Sequence, residues 1–209
     1  RLKTSMLLLP PNIGCVYLHG FLSSPDSKKA QELIQYFKNN NLQNQLRIPC
    51  LSFEPEQAIK QAQEAIHSLY EQEDIQQVFV MGSSLGGFYA TYLGQTEKIK
   101  AVLVNPAVRP FELFDKYLGP NKHYYDGQTY ILEMKHIEQL QALDVKNLDN
   151  PEHFLLLQQT GDETLDYRQA CAKYRSCPSW LEAGGSHSFD GFIERLDMVF
   201  NFITQENMS

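Results

Sequence analysis

Cysteine is scarce in this chain and follows no pattern. Cys15, Cys50, Cys171 and Cys177 form no Cys-x-x-Cys pair and no zinc-ligand spacing. The expectation is therefore reduced, mostly buried thiols in a cytosolic protein. The six histidines make no His-Glu-x-x-His, which removes the commonest helical zinc-protease pattern. Glu133-x-x-His136 has the spacing of half a di-iron helix motif, but a second copy is missing, and a solvated helix face is the expectation there. Basic runs are also lacking: none exceeds Lys28-Lys29, and the net charge is −7. That balance argues against nucleic acid as a partner. The apolar run Met6-Leu7-Leu8-Leu9 is too short for a signal-peptide core or a bilayer span. A soluble, cytoplasmic protein is expected. Repeats, low-complexity tracts and long polar linkers are absent, so the 209 residues read as one domain over 13–205, preceded by an N-terminal extension, 1–12. A chain of this length, 43% hydrophobic, buries a core without disulfide or metal staples.

What the chain does contain is a regular alternation. Short apolar runs at 15–18, 46–53, 75–81, 100–104, 153–159 and 178–183 predict six strands. Between them lie stretches with apolar residues at helical spacing. Ser24-Pro25-Asp26 opens one, carrying Ala30, Leu33, Ile34 and Phe37; Pro55 opens a longer one, carrying Ala58, Ile59, Ala62, Ile66, Leu69 and Tyr70. Further helices are expected from the Ser84 turn to about Lys98, over 165–175 and over 189–204. Strands alternating with helices predict crossover connections, a mostly parallel sheet and helices on both faces. Residues 107–150 break the rhythm. They are rich in aromatics (Phe111, Phe114, Tyr117, Tyr124, Tyr125, Tyr130), with helical pieces expected at 111–118 and 131–143. This insertion falls where a small helical lid would cover the strand C-termini, the side on which open α/β sheets carry their sites.

The most informative segment is Gly82-Ser83-Ser84-Leu85-Gly86-Gly87, directly after Val78-Phe79-Val80-Met81. A strand, a tight turn and a helix are the context in which Gly-x-Ser-x-Gly presents a nucleophilic serine, here Ser84. Gly82 and Gly86 carry no Cβ, which permits the sharp turn and close helix–strand packing. Gly-rich turns of this kind also bind phosphate, so the remaining residues must decide.

A serine hydroxyl needs a base, and the base needs an orienting acid. Thr160-Gly161-Asp162-Glu163 follows the strand expected at 153–159, and Gly184-Gly185-Ser186-His187-Ser188 follows the one at 178–183. Asp162 and His187 therefore emerge at strand C-termini, on the same side as Ser84. Glu163 and Asp166 are alternative acids. His153 sits at the wrong end of its strand, and His19 is expected to organise a turn. For an oxyanion hole, one donor is the backbone N–H of Leu85 and the other the backbone N–H of Phe21, in the loop after the first strand. The alternative for Phe21 is that it packs against the lid.

With Tyr17-Leu18-His19-Gly20-Phe21, Val80 to Gly87, Asn105 to Leu113, Gln158 to Ala170 and Gly184 to Phe189, the chain resembles the YqiA-type esterases, a family of small bacterial α/β hydrolases. The resemblance spans about Val16 to Phe202. It implies an α/β-hydrolase fold and esterase activity, with carboxylic esters and acyl thioesters such as acyl-CoA as substrates. Matched by motif, its nucleophile, acid and base fall on Ser84, Asp162 and His187. Ser186 and Ser188 flank the histidine where Asn and Ala are expected, which would alter local hydrogen bonding. No cofactor or metal is implied, and the partner is a small-molecule ester or thioester. Arg109, Lys116, Lys122 and Lys135 would be the groups to attract an anionic leaving group, although the net charge does not favour one. Peptidase, lactonase or amidase activity on the same triad, and a non-catalytic ligand-binding module, are the alternatives.

Overall fold

The computed structural model describes residues 7–205. Fifteen regular elements follow one another: β1 (Ile13–Leu18), α1 (Lys28–Asn39), β2 (Leu46–Arg47), α2 (Pro55–Tyr70), β3 (Gln77–Ser83), α3 (Leu85–Glu97), β4 (Ala101–Val104), α4 (Pro110–Leu113), β5 (Gly119–Lys122), β6 (Thr129–Leu132), α5 (Met134–Ala142), β7 (Phe154–Gln159), α6 (Tyr167–Lys173), β8 (Ser179–Glu182) and α7 (Leu196–Thr204). Six strands form one sheet in the order β2-β1-β3-β4-β7-β8, and every pairing in it is parallel.

The sheet is buried on both faces, as the near-continuous apolar strands demand. Alternate strand residues serve different cores. Val16, Leu18, Val80, Leu103 and Leu156 pack with α2, α3, α5 and α6; Cys15, Tyr17, Phe79, Met81, Val104 and Leu157 pack with α1 and α7. Leu9 also packs into the second core, so the domain's packing begins before Ile13. Buried Lys100 donates from Nζ to the carbonyls of Phe202 (3.0 Å), Ile203 (3.3 Å) and Gln205 (2.6 Å), satisfying the open C-terminal end of α7.

Several expected elements differ. The second strand pairs only over Leu46–Arg47, because it is an edge strand and Pro49 offers no N–H to extend the ladder. The insertion is not purely helical: β5 and β6 form an antiparallel hairpin between α4 and α5. The last helix starts at Leu196 rather than 189, after a left-handed Gly191 (φ 71°) and a short 3-10 turn, Phe192–Arg195. Cys15 and Cys177 are buried, whereas Cys50 is exposed and Cys171 half-buried, so the expectation of mostly buried thiols holds for two of the four. His136 is buried rather than solvated, since Glu133 and His136 form a capping box at the start of α5. His136 Nδ1 accepts from the Glu133 N–H at 2.9 Å, so the three-residue spacing serves helix initiation.

Among the described residues no helix is long and apolar enough to cross a membrane, and no group of three or more His, Cys, Asp or Glu is placed to hold a metal ion.

Candidate active site

The chain leaves β1 toward β2 on one side and returns to β3 on the other, so a crevice opens between the C-terminal ends of β1 and β3. The loop after β1 and the turn after β3 face each other across it. A Cβ built on Gly20 would lie 3.5 Å from the Ser84 Cβ.

Ser84 is the turn residue between β3 and α3, with φ 57° and ψ −121°. A serine rarely adopts a left-handed φ, and the surroundings must enforce it. The Ser84 N–H donates to the Val104 carbonyl (3.2 Å), while the Ser84 carbonyl accepts from the N–H groups of Gly87 (2.9 Å) and Ala107 (2.9 Å). The glycines admit the close approach. A Cβ on Gly82 would lie 1.9 Å from the Gly86 carbonyl oxygen, and one on Gly86 would lie 2.1 Å from the Leu18 carbonyl oxygen. Both obstacles are backbone and cannot rotate away. Gly86→Ala is therefore expected to destabilise the fold by about 3 kcal/mol or more, measured by denaturant unfolding; an unchanged midpoint would contradict this packing.

Asp162, on the loop after β7, and His187, on the loop after β8, come together. Both Asp162 carboxylate oxygens lie 2.9 Å from His187 Nδ1, and His187 Nε2 lies 3.1 Å from Ser84 Oγ. The Asp162 side chain is fully buried. Burial pushes its carboxyl up, but hydrogen bonds from His187 and from the N–H groups of Leu165 (2.8 Å) and Thr164 (2.9 Å) outweigh that and hold it below the usual carboxylate range. An ionised Asp162 can only accept, so Nδ1 carries the imidazole proton and Nε2 is free to accept from the Ser84 hydroxyl.

The other acids are otherwise engaged. Glu163 accepts the His187 backbone N–H through Oε2 (2.9 Å), and Asp166 caps α6 and pairs with Arg168 (2.9 Å). His19 is buried and ties two loops together: its Nε2 accepts from the Leu51 N–H at 2.9 Å, so Nδ1 donates to the Gly20 carbonyl at 3.0 Å. Burial pulls the His19 pKa down, which keeps it neutral in this role. The Phe21 ring does pack against the insertion, 4.6 Å from Phe114 and 5.9 Å from Tyr117 between centroids.

A cavity of about 650 Å³ adjoins Ser84 and His187. Of the insertion's aromatics, Tyr117, Tyr124 and Tyr125 reach its wall, while Phe114 is buried in the core and Tyr130 stacks on Phe53. The basic residues singled out in the sequence are not on that wall. Arg109 pairs with Glu112 at 2.5 Å and Lys135 with Glu133 at 3.0 Å. The charged side chains that do line it are Lys28, Lys29, Glu32, Asp190 and Glu194. Sequence spacing does not reveal this set, because it comes from the first two turns of α1 and from the loop and 3-10 turn that precede α7.

A parallel sheet crossed at its switch point by a strained serine, with an acid and a histidine arriving from later strand ends, is the α/β-hydrolase fold. Solved structures agree on the fold. Est1E from Butyrivibrio proteoclasticus superposes with a TM-score of 0.68 at 13% identity, over 94% of this chain and 90% of that one. Paleococcus ferrophilus monoacylglycerol lipase gives 0.62 at 14% identity, over 93% and 95%. Mouse alpha/beta hydrolase domain-containing protein 10 gives 0.61 at 13% identity, over 93% and 90%. Within that fold the chain belongs to the uncharacterised protein family UPF0227, whose model matches residues 14–204; this is the YqiA-type family that the motifs resemble.

Proposed function

We propose that this protein is a serine esterase that hydrolyses small carboxylic esters through an acyl-enzyme on Ser84. The observation that carries the reading is the unbroken chain of contacts from Asp162 (2.9 Å) through His187 to the Ser84 hydroxyl (3.1 Å). His187 Nε2 takes the hydroxyl proton as Oγ attacks the ester carbonyl carbon, and the carbonyl π electrons move onto oxygen. The backbone N–H groups of Leu85 and Phe21 stabilise that oxyanion, each donor contributing on the order of 3 kcal/mol at the transition state. Collapse of the intermediate expels the alcohol, which takes the proton from His187. Water then attacks the acyl-enzyme with His187 again as base, releasing the acid and restoring Ser84. Asp162 stabilises the imidazolium in both halves without taking its proton.

The 107–150 insertion acts as a cover for this site. It is pinned to the loop after β1, where His123 Nε2 donates to the Ser23 carbonyl at 2.9 Å and the Tyr124 N–H donates to the Leu22 carbonyl at 3.3 Å. The mixed charges on the cavity wall favour neutral esters over the polyanionic coenzyme A of an acyl thioester. Turnover of p-nitrophenyl esters and acyl-CoAs of graded length tests both parts. The expected result is ester hydrolysis with kcat/KM about tenfold or more above that for acyl-CoA of equal chain length. Preferred acyl-CoA turnover would reverse the substrate assignment, and no turnover of either series would remove the esterase reading.

A further inference from the structure

Residues 183–191, which carry His187, lie outside every helix and strand. Gly184, Gly185, Phe189 and Gly191 all have positive φ, from 59° to 78°. Such a segment has no ladder to fix it, yet His187 must stay within hydrogen-bond reach of two partners on other strands. Two backbone bonds hold it, from the Gly161 N–H to the Gly184 carbonyl (2.7 Å) and from the Phe189 N–H to the Ser186 carbonyl (3.0 Å); the other bonds around His187 come from side chains of distant parts of the chain.

Asn105, at the end of β4, is completely buried. Its Nδ2 donates to the carbonyls of Ser186 (2.9 Å) and His187 (3.0 Å), and its Oδ1 accepts from the Gln159 N–H (2.9 Å). Gln159, at the end of β7, is also buried. Its Oε1 accepts from the N–H groups of Ser186 (3.2 Å) and Asp190 (2.8 Å); its Nε2 donates to the Asp190 carbonyl (2.9 Å) and to Glu182 (2.8 Å). Exposed Glu163 accepts the His187 N–H (2.9 Å), and Lys29 Nζ donates to the Ser188 carbonyl. Gly185 completes the fit, since a Cβ there would lie 2.0 Å from Gln159 Oε1.

We infer that Asn105, Gln159 and Glu163 are positioning residues that hold the His187 imidazole on both Ser84 and Asp162. Two features support a positional role over simple packing. Burying an amide is costly unless its polar atoms are paired; here both amides are fully paired, and all their bonds run to the loop backbone or between the two residues except one from Gln159 Nε2 to Glu182. The clamp also spans the three elements that must stay in register. Asn105 follows Val104, whose carbonyl accepts the Ser84 N–H, and Gln159 lies three residues before Asp162.

This inference rests on the esterase reading for its kinetic arm, and an NMR arm is independent of it. Asn105→Ala, Gln159→Met and Glu163→Ala would each be compared with wild type for kcat, KM, melting temperature and the low-field resonance of the His187 Nδ1 proton. Misplacing a catalytic group by about an ångström costs up to about a hundredfold. The expected result is a fall in kcat of about 10- to 100-fold for the two amide variants and about threefold for Glu163→Ala, with KM within about twofold and the Nδ1 resonance shifted or broadened. A merely structural role would lower the melting temperature and leave kcat of the folded protein and the resonance alone; that outcome overturns the inference. Should the two buried variants fail to fold, exposed Glu163→Ala decides: an unchanged kcat and resonance would overturn it. An inactive wild type with the resonance present, and perturbed in the variants, would sink the esterase reading and leave the clamp standing.

Discussion

On the proposed mechanism, Ser84→Ala is expected to lower kcat by about a million-fold and to leave the melting temperature within about two degrees of wild type. The size follows from the loss of a group that acts as a unit with its base: without a nucleophile His187 has nothing to activate, and only the residual catalysis of binding and the oxyanion donors remains. The small effect on stability follows from what the hydroxyl touches. Its partner is His187 at 3.1 Å, a single exchangeable hydrogen bond, while the backbone bonds that hold the turn run through Ser84 N and O and survive the substitution. The strained φ of 57° is retained, because alanine differs from serine only by the oxygen. Ester turnover and thermal unfolding of the same preparation test both halves. A variant that keeps more than about a hundredth of the activity would mean that the chemistry runs through another group.

Asp162→Asn is expected to produce the second-largest effect, a fall in kcat of about ten-thousand-fold at neutral pH. An amide at 162 can present its NH2 to Nδ1, which then accepts and moves the imidazole proton to Nε2. That tautomer donates toward Ser84 and cannot take its proton. A stability effect with a defined sign accompanies the kinetic one. The Asp162 carboxyl is held below its ordinary value of 3.8 in the folded protein. Its contribution is therefore fully present above about pH 3.8 and is lost as the pH falls through the lower folded value. The stability difference between wild type and Asp162→Asn should be constant above about pH 3.8 and shrink as the pH drops below it, measured by denaturant unfolding at each pH. A difference that grew toward acid would mean that the carboxyl is raised instead.

The elements that set the fold were legible where local chemistry and burial agree. α2 begins at the proline and carries the stripe expected for it, and β3 leads into the Ser84 turn as the motif requires. Asp162 and His187, the acid and the histidine that follow later strands in the sequence, lie in hydrogen-bond contact with each other, and His187 with Ser84. Elsewhere, apolar spacing misled. Phe189, Phe192 and Ile193 pack into or against the same core as α7, so a helix-like periodicity runs on through a loop and a 3-10 turn. In the insertion, Thr129 to Leu132 alternates exposed and buried, but four residues of alternation among so many aromatics do not distinguish a hairpin strand from the edge of a helix.

The least legible features are the buried polar ones. Asn105 sits one step and Gln159 two steps beyond a run of apolar residues, where a sequence pattern marks only a strand end. Their hydrogen-bond partners are more than twenty residues away, and no local spacing encodes such a contact. The flanking serines of the histidine illustrate the same point. Ser186 Oγ donates to Asp190 Oδ1 at 2.7 Å, an added brace within the loop, whereas Ser188 contributes a backbone carbonyl that any residue would supply.

Covalent labelling with a fluorophosphonate, followed by digestion and mass spectrometry, tests the central claim most directly. A hydroxyl activated by His187 attacks the phosphorus and displaces fluoride, and the account predicts one adduct, on the peptide containing Ser84, absent from Ser84→Ala and strongly slowed in His187→Ala. A wild-type protein that stays unlabelled, or an adduct mapped to any other residue, would contradict it.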